Sequence, residues 1–251
     1  MLTFIVTGVA SGIGYAVCQK LLTTGYRIIA IDINSEGLNE LAEQFPGLVD
    51  VLQIDLTDEN AIANQLVPLF KEGKLQGILQ GIVISHGKDN DNEIGDSDIW
   101  DSILAANLYS VQRLLSNVVP NILSGGRIVI ISSILGKAGK KHNSAYCVSK
   151  HALLGLTKSL ALDLAERQIT VNAVLPSWVD TPMLLKGLEP QAKLLGCSTS
   201  TLLRRIAKRI PLKRLVSPQD VASAVMFFIS LDAAMITAQG LVIDGGDGGG
   251  I

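Results

Sequence analysis

The sequence predicts an α/β fold, in which a doubly wound parallel sheet of about seven strands carries helices on both faces. Short runs rich in Ile and Val alternate with amphipathic stretches along the chain. Such alternation of strands and helices gives right-handed crossovers within one open sheet. Several runs are apolar almost throughout, as expected of parallel strands that helices cover on both faces.

The individual elements follow from the period of the apolar residues and from turn and capping residues. The predicted strands lie at 2–7, 27–31, 48–54, 79–85, 127–132, 169–175 and 241–243. The predicted helices lie near 13–24, 35–44, 58–72, 97–122, 144–167 and 218–230. Thr57 with Asp58, and Pro218 with Asp220, are residues typical of helix starts.

No linker or low-complexity stretch divides the chain before its glycine-rich tail at 244–251. The pattern therefore predicts a single domain over 1–251. The segment near 182–212 is an insertion without an evident strand partner, and it follows the sixth strand. We interpret it as a lid over the ligand crevice, because ligands of such sheets bind outside the carboxyl ends of the strands.

The composition excludes several classes of function. The 251 residues include 21 basic and 23 acidic ones, which gives a formal net charge of −2. A balanced charge leaves no basic footprint for nucleic acid or for an anionic membrane surface. The most membrane-like stretch, 221–238, is interrupted by polar residues, so we expect no membrane span. The expected partner is a small molecule.

The cysteines indicate a reducing environment. Cys18, Cys147 and Cys197 are odd in number, scattered and without the spacing of metal ligands. Free thiols are typical of reducing compartments. Because no basic region precedes the first apolar run, we expect no secretory signal and a cytoplasmic protein. Because the cysteines lack ligand spacing, we expect no metal site.

The predicted helix at 97–122 is apolar around too much of its circumference for one buried stripe. Either its second face contacts another subunit, or both faces pack within a monomer. The apolar positions are Ile99, Ile103, Leu104, Leu108, Val111, Leu114, Leu115, Val118 and Val119.

A glycine-rich turn, TGVASGIG at 7–14, joins the first strand to the first helix. Its glycines allow a tight turn, close approach to a pyrophosphate and close packing of helix on sheet. An anion there would lie against free N–H groups at the positive end of the helix. The alternative is a tight turn without a ligand, which would show the same glycine pattern. The candidate dinucleotide-binding residues are Gly8, Ser11, Gly12, Ile13 and Gly14.

Acidic residues at two strand ends support the dinucleotide interpretation. Asp32 stands 18 residues after Gly14, where a carboxylate accepts the ribose hydroxyls and repels a 2′-phosphate. Because the turn holds no Arg or Lys, this favours NAD over NADP. Asp55, followed by Leu56, could hold the adenine amino group. The alternatives are a solvated strand end at Asp32 and a helix-entry role for Asp55.

Further motifs follow in order along the chain. They are Asn107, Ser132-Ser133, YCVSK at 146–150, VNAVLP ending at Pro176, Thr181 and VIDGG at 242–246. With the glycine-rich turn, Asp32 and Asp55, they make the whole chain resemble a short-chain dehydrogenase/reductase. The resemblance implies a Rossmann-type fold, a dinucleotide cofactor and a homotetramer or homodimer.

The resemblance also assigns roles to individual residues. It implies that Ser133, Tyr146 and Lys150 are catalytic and that Asn107 completes a proton relay. Ser133 is preferred to Ser132 because it stands 13 residues before Tyr146, as in family members. Lys150 would also hydrogen-bond the nicotinamide ribose, as its family counterpart does.

The residues themselves support these roles. Tyr146 and Lys150 lie one turn apart on a predicted helix, so both side chains point into one crevice. An adjacent ammonium would lower the pKa of the phenol, which is otherwise a poor base at neutral pH. Tyr146 would then take a proton in alcohol oxidation or donate one in carbonyl reduction, while Ser133 holds the substrate oxygen. Each residue also has an alternative without catalysis. Tyr146 and Lys150 would be an ordinary pair on the protein surface, Ser133 would cap the end of a strand, and Asn107 would serve packing.

One segment departs from the family pattern beside the cofactor. Ile84-Ser85-His86-Gly87 stands where family members have Asn-Asn-Ala-Gly. Ser85 and Gly87 remain candidate cofactor contacts, and Ser85 or a water must satisfy the groups that the Asn pair would bind. His86 would lie near the cofactor, and we expect a structural role for it because Tyr146 already serves as acid/base.

A second departure is Ser177, which follows Pro176 where the family has Gly. Its side chain would narrow the nicotinamide side of the pocket. Pro176, Val179 and Thr181 remain in place as candidate cofactor contacts.

The candidate substrate pocket comprises Ser133, Leu135, Tyr146, Trp178 and Met183. Its apolar members favour a hydrophobic alcohol or ketone, although the same residues pack as core just as readily. Basic clusters at 140–142 and 204–209 would attract a phosphopantetheine, a coenzyme A tail or a carboxylate, or form solvated faces.

The sequence thus predicts an oxidoreductase that transfers a hydride between NAD(H) and a small or hydrophobic alcohol or ketone. One alternative is a 3-oxoacyl-carrier reductase. Another is a protein that binds a dinucleotide without catalysis, which the altered segment 84–87 suggests. The intact Ser133, Tyr146 and Lys150 favour an enzyme.

Overall fold

The computed structural model describes residues 1–71, 75, 77–89 and 94–249. Its strands are β1 Leu2–Thr7, β2 Arg27–Asp32, β3 Val49–Gln53, β4 Ile78–Ile84, β5 Arg127–Ile131, β6 Thr170–Pro176 and β7 Gly240–Ile243. They form one sheet in the order β3-β2-β1-β4-β5-β6-β7, with parallel neighbours throughout. The predicted doubly wound sheet is confirmed, and no strand end lies more than one residue from its predicted position.

The helices occupy the connections between strands. They are α1 Gly12–Thr23, α2 Ser35–Gln44, α3 Glu59–Ala61, α4 Val67–Lys71, α5 Ser97–Leu104, α6 Ser110–Val118, α7 Ser144–Asp163, α8 Pro182–Leu194, α9 Thr199–Arg209 and α10 Pro218–Ile229. The sequence predicted one continuous helix at 58–72 and another at 97–122. This continuity is wrong, because a π-helical segment interrupts each region, at Ile62–Leu66 and at Ala105–Tyr109. Such wide turns arise from local packing and are frequent at functional sites.

Two apolar layers cover the sheet because alternate strand residues point to opposite faces. In β1, Phe4 and Val6 pack in the layer that contains α1 and α10. Ile5 packs in the other layer, with α6 and α7. All these side chains are fully buried. Burial on both faces explains why the strands are apolar almost throughout.

The apolar residues of the 97–122 region need no second subunit to cover them. All nine apolar positions named above are buried or partly buried within the single chain. Two-sided packing therefore explains the wide apolar surface, and this region carries no argument for an oligomer.

The strand order places the functional cleft. The chain winds from β1 through β2 to β3 on one side and continues from β4 on the other. Ligands of doubly wound sheets bind outside the carboxyl ends of the strands at this reversal, here between β1 and β4. Within the described residues, no helix combines the length and apolar character that a membrane span requires.

The insertion at 182–212 folds as the two helices α8 and α9 with a small core of their own. Leu188, Ala192, Leu202, Ile206 and Ile210 are its buried members. Trp178 and Leu184 pack partly buried against this core.

Candidate active site

The glycine-rich turn leaves no room for side chains at the cleft floor. Gly8 and Gly12 have φ of +67° and +58°, values that favour glycine. A Cβ on Gly8 would lie 2.9 Å from the His86 nitrogen, and a Cβ on Gly14 would lie 2.0 Å from the Gly8 oxygen. The turn, α1 and the end of β4 are therefore packed backbone against backbone.

The start of α1 fits the phosphates of a dinucleotide. Ser11 is the exposed N-cap residue, and its side chain makes no capping hydrogen bond. The first N–H groups of the helix, from Gly12 and Ile13 onward, have no intrahelical acceptors. An anion at this point gains from those donors and from the helix dipole.

Asp32 lies against the same turn. Its Oδ2 accepts a hydrogen bond from the Ala10 nitrogen at 2.9 Å, and its Oδ1 accepts one from the Asn34 nitrogen at 3.0 Å. These bonds fix a partly buried carboxylate beside the phosphate turn, where an adenosine ribose would lie in this type of fold. Asp32 is thus not a freely solvated strand end.

Asp55 and Leu56 make local contacts instead. Asp55 Oδ1 accepts from the Thr57 nitrogen at 2.8 Å and from the Thr57 hydroxyl at 2.7 Å, an Asx turn that leads toward α3. The Leu56 side chain is buried in the core. These contacts match the helix-entry alternative for Asp55.

The predicted reacting groups converge at the carboxyl end of β5. Lys150 is 5% exposed, and its Nζ lies 5.4 Å from the centre of the Tyr146 ring. The Tyr146 hydroxyl is hydrogen-bonded by the Ser133 side chain. Ser133 also accepts from the Leu135 nitrogen at 3.1 Å, so it caps the turn after β5 and faces the phenol at once.

The pKa shifts of Tyr146 and Lys150 differ from those that the sequence led us to expect. Burial raises the pKa of Tyr146, the Asp89 carboxylate raises it further, and the Ser133 hydrogen bond opposes the shift. Burial lowers the pKa of Lys150 to about 8, and Lys150 Nζ donates to the Ile131 carbonyl at 3.2 Å. The net pKa of Tyr146 is therefore raised, where the sequence led us to expect a lowered one, because burial penalises the charged form of the phenol.

Asn107 lies in the π-helical segment Ala105–Tyr109 and is buried. Its Oδ1 accepts from the Lys88 nitrogen at 2.6 Å, and its Nδ2 donates to the Lys88 carbonyl at 2.8 Å and to the Ser149 hydroxyl at 3.1 Å. The side chain thus joins the loop after β4 to α7, which is the packing role weighed as its alternative. A Cβ on Gly87 would lie 3.2 Å from this Oδ1 and 3.6 Å from Lys150 Nζ.

The altered segment 84–87 is tied to β1 by His86. Thr7 Oγ1 lies 2.7 Å from His86 Nδ1, and the Ser85 nitrogen donates to Thr7 Oγ1 at 3.1 Å. Where the sequence led us to expect Ser85 or a water in place of the family's Asn pair, the bonds to Thr7 come from the Ser85 backbone and the His86 ring. The expected structural role of His86 agrees with its contacts.

The loop after β6 approaches the turn from the other side. Pro176 ends β6 beside Ile243, and Val179 forms a single parallel bridge with Val216. Thr181 caps α8 by accepting from the Leu184 nitrogen at 3.3 Å. A Cβ on Gly12 would lie 3.1 Å from the Thr181 methyl group. The loop and the glycine-rich turn therefore enclose one cleft.

Ser177 carries an unpaired polar atom in this loop. Its Oγ is buried and has no hydrogen-bond partner, while its nitrogen donates to the Ile243 carbonyl at 3.0 Å. A buried hydroxyl without a partner is costly. It therefore fits a position that a polar ligand group completes.

The apolar residues of the predicted substrate pocket do not all lie in one place. Leu135 is partly buried beside Ser133, and Met183 is 53% exposed at the start of α8. Trp178 packs against the core of α8 and α9. Trp178 thus anchors the inserted helices as well as standing beside the cleft.

Sequence reasoning missed one charged neighbour of the site. Asp89 Oδ1 accepts from Asn143 Nδ2 at 2.9 Å, and Asn143 is the buried N-cap residue of α7, the helix that carries Tyr146. Asp89 follows Gly87 by two residues at the carboxyl end of β4, and that placement was the available signal. No group of metal-ligating side chains occurs among the described residues.

Comparison with known proteins agrees with this geometry. Residues 8–247 match the family model described as enoyl-(acyl carrier protein) reductase. The chain is 34% identical to 3-oxoacyl-(acyl-carrier-protein) reductase FabG of Thermotoga maritima, with 96% of each chain covered. It is 31% identical to D-beta-hydroxybutyrate dehydrogenase of Rhizobium meliloti, with 97% of each covered.

A solved structure shows the same architecture over nearly the whole chain. A variant of actinorhodin polyketide ketoreductase with NADPH gives a TM-score of 0.89 at 31% identity, covering 98% of this chain and 97% of that chain. Fold, cleft and similarity together define a dinucleotide-dependent oxidoreductase with a Rossmann-type sheet. The chain belongs to the short-chain dehydrogenase/reductase family.

Asp89→Asn tests the electrostatics of the site. The Asp89 charge raises the pKa of both Tyr146 and Lys150, so its removal is expected to lower both. The acid limb of kcat/KM for alcohol oxidation should therefore move to lower pH, because the phenol loses its proton more readily. Asp232→Asn, at an exposed carboxylate on the surface, is the control. An unmoved acid limb, or a shift to higher pH, contradicts the assignment.

Proposed function

We propose that this chain reduces ketones and oxidises alcohols with NAD(H), and that Tyr146 transfers the proton. The supporting observation is that the Tyr146 hydroxyl, held by Ser133, stands beside the buried Lys150 at the carboxyl edge of the sheet. The glycine-rich turn and Asp32 lie at the same edge. This arrangement is the reason to prefer an enzyme to a protein that only binds a dinucleotide.

The cofactor-binding roles follow from the contacts. The turn from Gly8 to Gly14 would hold the pyrophosphate, and Asp32 would hold the adenosine ribose. Pro176, Ser177, Val179 and Thr181 would surround the nicotinamide end. A bound nicotinamide supplies or accepts the hydride.

The protein itself moves the proton. Ser133 orients the substrate oxygen, and Tyr146 Oη holds the proton that a reduced carbonyl takes up. As a protonated phenol Tyr146 is the acid for carbonyl reduction, and as a phenolate it is the base for alcohol oxidation. Lys150 would contact the nicotinamide ribose, and its positive charge would stabilise the phenolate that remains after the transfer.

The NAD preference is argued from charge. The Asp32 carboxylate is fixed beside the phosphate turn, where it would repel a 2′-phosphate. The turn at 7–14 contains no Arg or Lys to receive that phosphate. Because a similar ketoreductase is solved with NADPH, direct comparison of the two cofactors is the deciding experiment.

The inserted helices α8 and α9 would act as a lid within a single catalytic domain. Their core joins Trp178 to the start of α8, and Thr181 brings that start against Gly12. Apolar side chains at this entrance, with Met183 exposed, favour a hydrophobic alcohol or ketone. We also propose a homodimer or homotetramer, as is usual in the family.

A second function is favoured by the charge of the lid. Helix α9 carries four exposed basic residues and no acidic residue, although the whole chain has a net charge of −2. They are Arg204, Arg205, Lys208 and Arg209. A basic helix beside the entrance suits an acidic carrier protein that presents a 3-oxoacyl thioester.

Tyr146→Phe tests the proposed chemistry. The hydroxyl that transfers the proton is lost, so kcat for ketone reduction is expected to fall about 10²–10⁴-fold. Affinity for NADH, measured by titration calorimetry, should stay unchanged because the ring remains in place. Tyr26→Phe, which alters a ring packed on Phe4 in β1, is the control. Equal turnover in Tyr146→Phe and wild type would remove Tyr146 from the mechanism.

Asp32→Asn tests the cofactor preference. The substitution removes the charge and keeps one of the two oxygens that accept from the backbone, so the ratio of kcat/KM for NADH to that for NADPH should fall about tenfold or more. Asp98→Asn, on exposed α5, serves as control. A wild type that prefers NADPH would refute the NAD assignment.

Arg204→Glu with Arg205→Glu tests the carrier hypothesis. Reversal of the charge is expected to lower kcat/KM for an acetoacetyl-carrier protein about tenfold or more at low salt, because long-range steering is lost. Activity on a small acetoacetyl thioester should not change. Lys71→Glu, at the exposed end of α4, is the matched control. Equal losses on both substrates, or none, would reject the hypothesis.

A further inference from the structure

His86 forms a hydrogen-bonded bridge between two elements of the cleft. Its Nδ1 lies 2.7 Å from Thr7 Oγ1 at the end of β1. Its Nε2 lies 2.8 Å from Ser110 Oγ at the start of α6. The family pattern has alanine at this position, so the bridge is a feature of this chain.

The hydrogen-bond pattern fixes the tautomer of the ring. Ser110 Oγ donates its only proton to the Ala106 carbonyl at 2.7 Å, so it can only accept from His86. Nε2 must therefore carry a proton. In the neutral ring Nδ1 is then an acceptor, and it receives the proton of the Thr7 hydroxyl.

The environment keeps the ring neutral. Burial, together with the charge of Lys150, lowers the pKa of His86 to about 4. Thr7 Oγ1 accepts from the Ser85 and His86 nitrogens at 3.1 and 3.4 Å, which leaves its own proton for Nδ1. Each donor in the bridge thus meets an acceptor.

The bridge joins the two halves of the proposed reaction site. Thr7 immediately precedes Gly8, and a Cβ on Gly8 would lie 2.9 Å from the His86 nitrogen. Ser110 directly follows the π-helical segment that holds Asn107, whose side chain contacts α7 through Ser149. The ring therefore connects the phosphate turn to the side of the cleft that carries Tyr146 and Lys150.

We propose that His86, as a neutral ring protonated at Nε2, is a positioning residue that sets the glycine-rich turn for dinucleotide binding. This inference rests on the proposed cofactor site. It predicts that the bond to Thr7 controls cofactor affinity, whereas the bond to Ser110 holds the ring in place. Catalytic proton transfer remains with Tyr146.

Two substitutions separate the halves of the bridge. His86→Asn keeps an oxygen at the position of Nδ1, so it can still accept from Thr7. His86→Gln places an amide nitrogen at the position of Nε2, so it keeps only the donor to Ser110. We expect His86→Gln to weaken affinity for the dinucleotide about tenfold, the effect of about one hydrogen bond, and His86→Asn to restore most of it.

Thr7→Val and Ser110→Ala provide the matched controls. Thr7→Val removes the bond to His86 Nδ1 together with the two that Thr7 Oγ1 accepts from the Ser85 and His86 nitrogens, so adding His86→Gln to Thr7→Val should weaken binding no further. Ser110→Ala should behave like His86→Asn. Dissociation constants for NADH and NADPH are measured by calorimetry, so neither a wrong cofactor preference nor a failure of turnover affects the outcome.

Nitrogen-15 NMR of the imidazoles tests the wild type independently of any variant. The chain has three histidines, which makes assignment of His86 straightforward. We expect a protonated Nε2 and a bare Nδ1 at neutral pH. A protonated ring, a proton on Nδ1, or equal cofactor affinity in His86→Gln, Thr7→Val and wild type would overturn the proposal. Lower thermal stability with unchanged affinity would show a packing role alone and would also overturn it.

Discussion

The close backbone packing where β1 meets α1 and the end of β4 is the constraint on which the site depends. A Cβ at Gly14 would lie 2.0 Å from the Gly8 oxygen, and one at Gly8 would lie 2.9 Å from the His86 nitrogen. Only a turn without side chains at these positions brings the start of α1 this near the carboxyl edge of the sheet. The exposed N–H groups, the Asp32 carboxylate and the His86 bridge all lie around that contact.

Burial governs the chemistry on the other side of the cleft. It raises the pKa of Tyr146 and lowers that of Lys150, because burial disfavours the charged form of each group. The negative charge of Asp89 stabilises the Lys150 ammonium and destabilises the Tyr146 phenolate. A protonated phenol beside Ser133 is suited to donate to a carbonyl oxygen.

Local sequence patterns predicted the elements that depend on period and composition. The strands were predictable because helices cover them on both faces, and the glycine-rich turn was predictable because its backbone admits glycine alone. Tyr146 and Lys150 meet because helical spacing places them on one face. Asp32 was predictable because it ends a strand next to the turn.

Features that arise from tertiary packing could not be predicted from the sequence. The π-helical turn around Asn107 interrupts a sequence with an unbroken helical period, and no local signal marks it. The pKa shift of Tyr146 depends on burial and on Asp89, which is distant in sequence and close in space. The His86 bridge requires Thr7 and Ser110 to converge from opposite sides of the ring, and only the folded chain shows that.

The most direct test of the central claim is a calorimetric titration of Gly14→Ala with NADH. The added methyl group would meet the Gly8 oxygen and push the turn away from α1, so affinity is expected to fall at least about tenfold while circular dichroism still shows the folded sheet. Gly155→Ala, where a Cβ on α7 meets nothing within 4 Å, should bind as the wild type does. Wild-type affinity in a folded Gly14→Ala variant would contradict the claim that this packing builds the cofactor site.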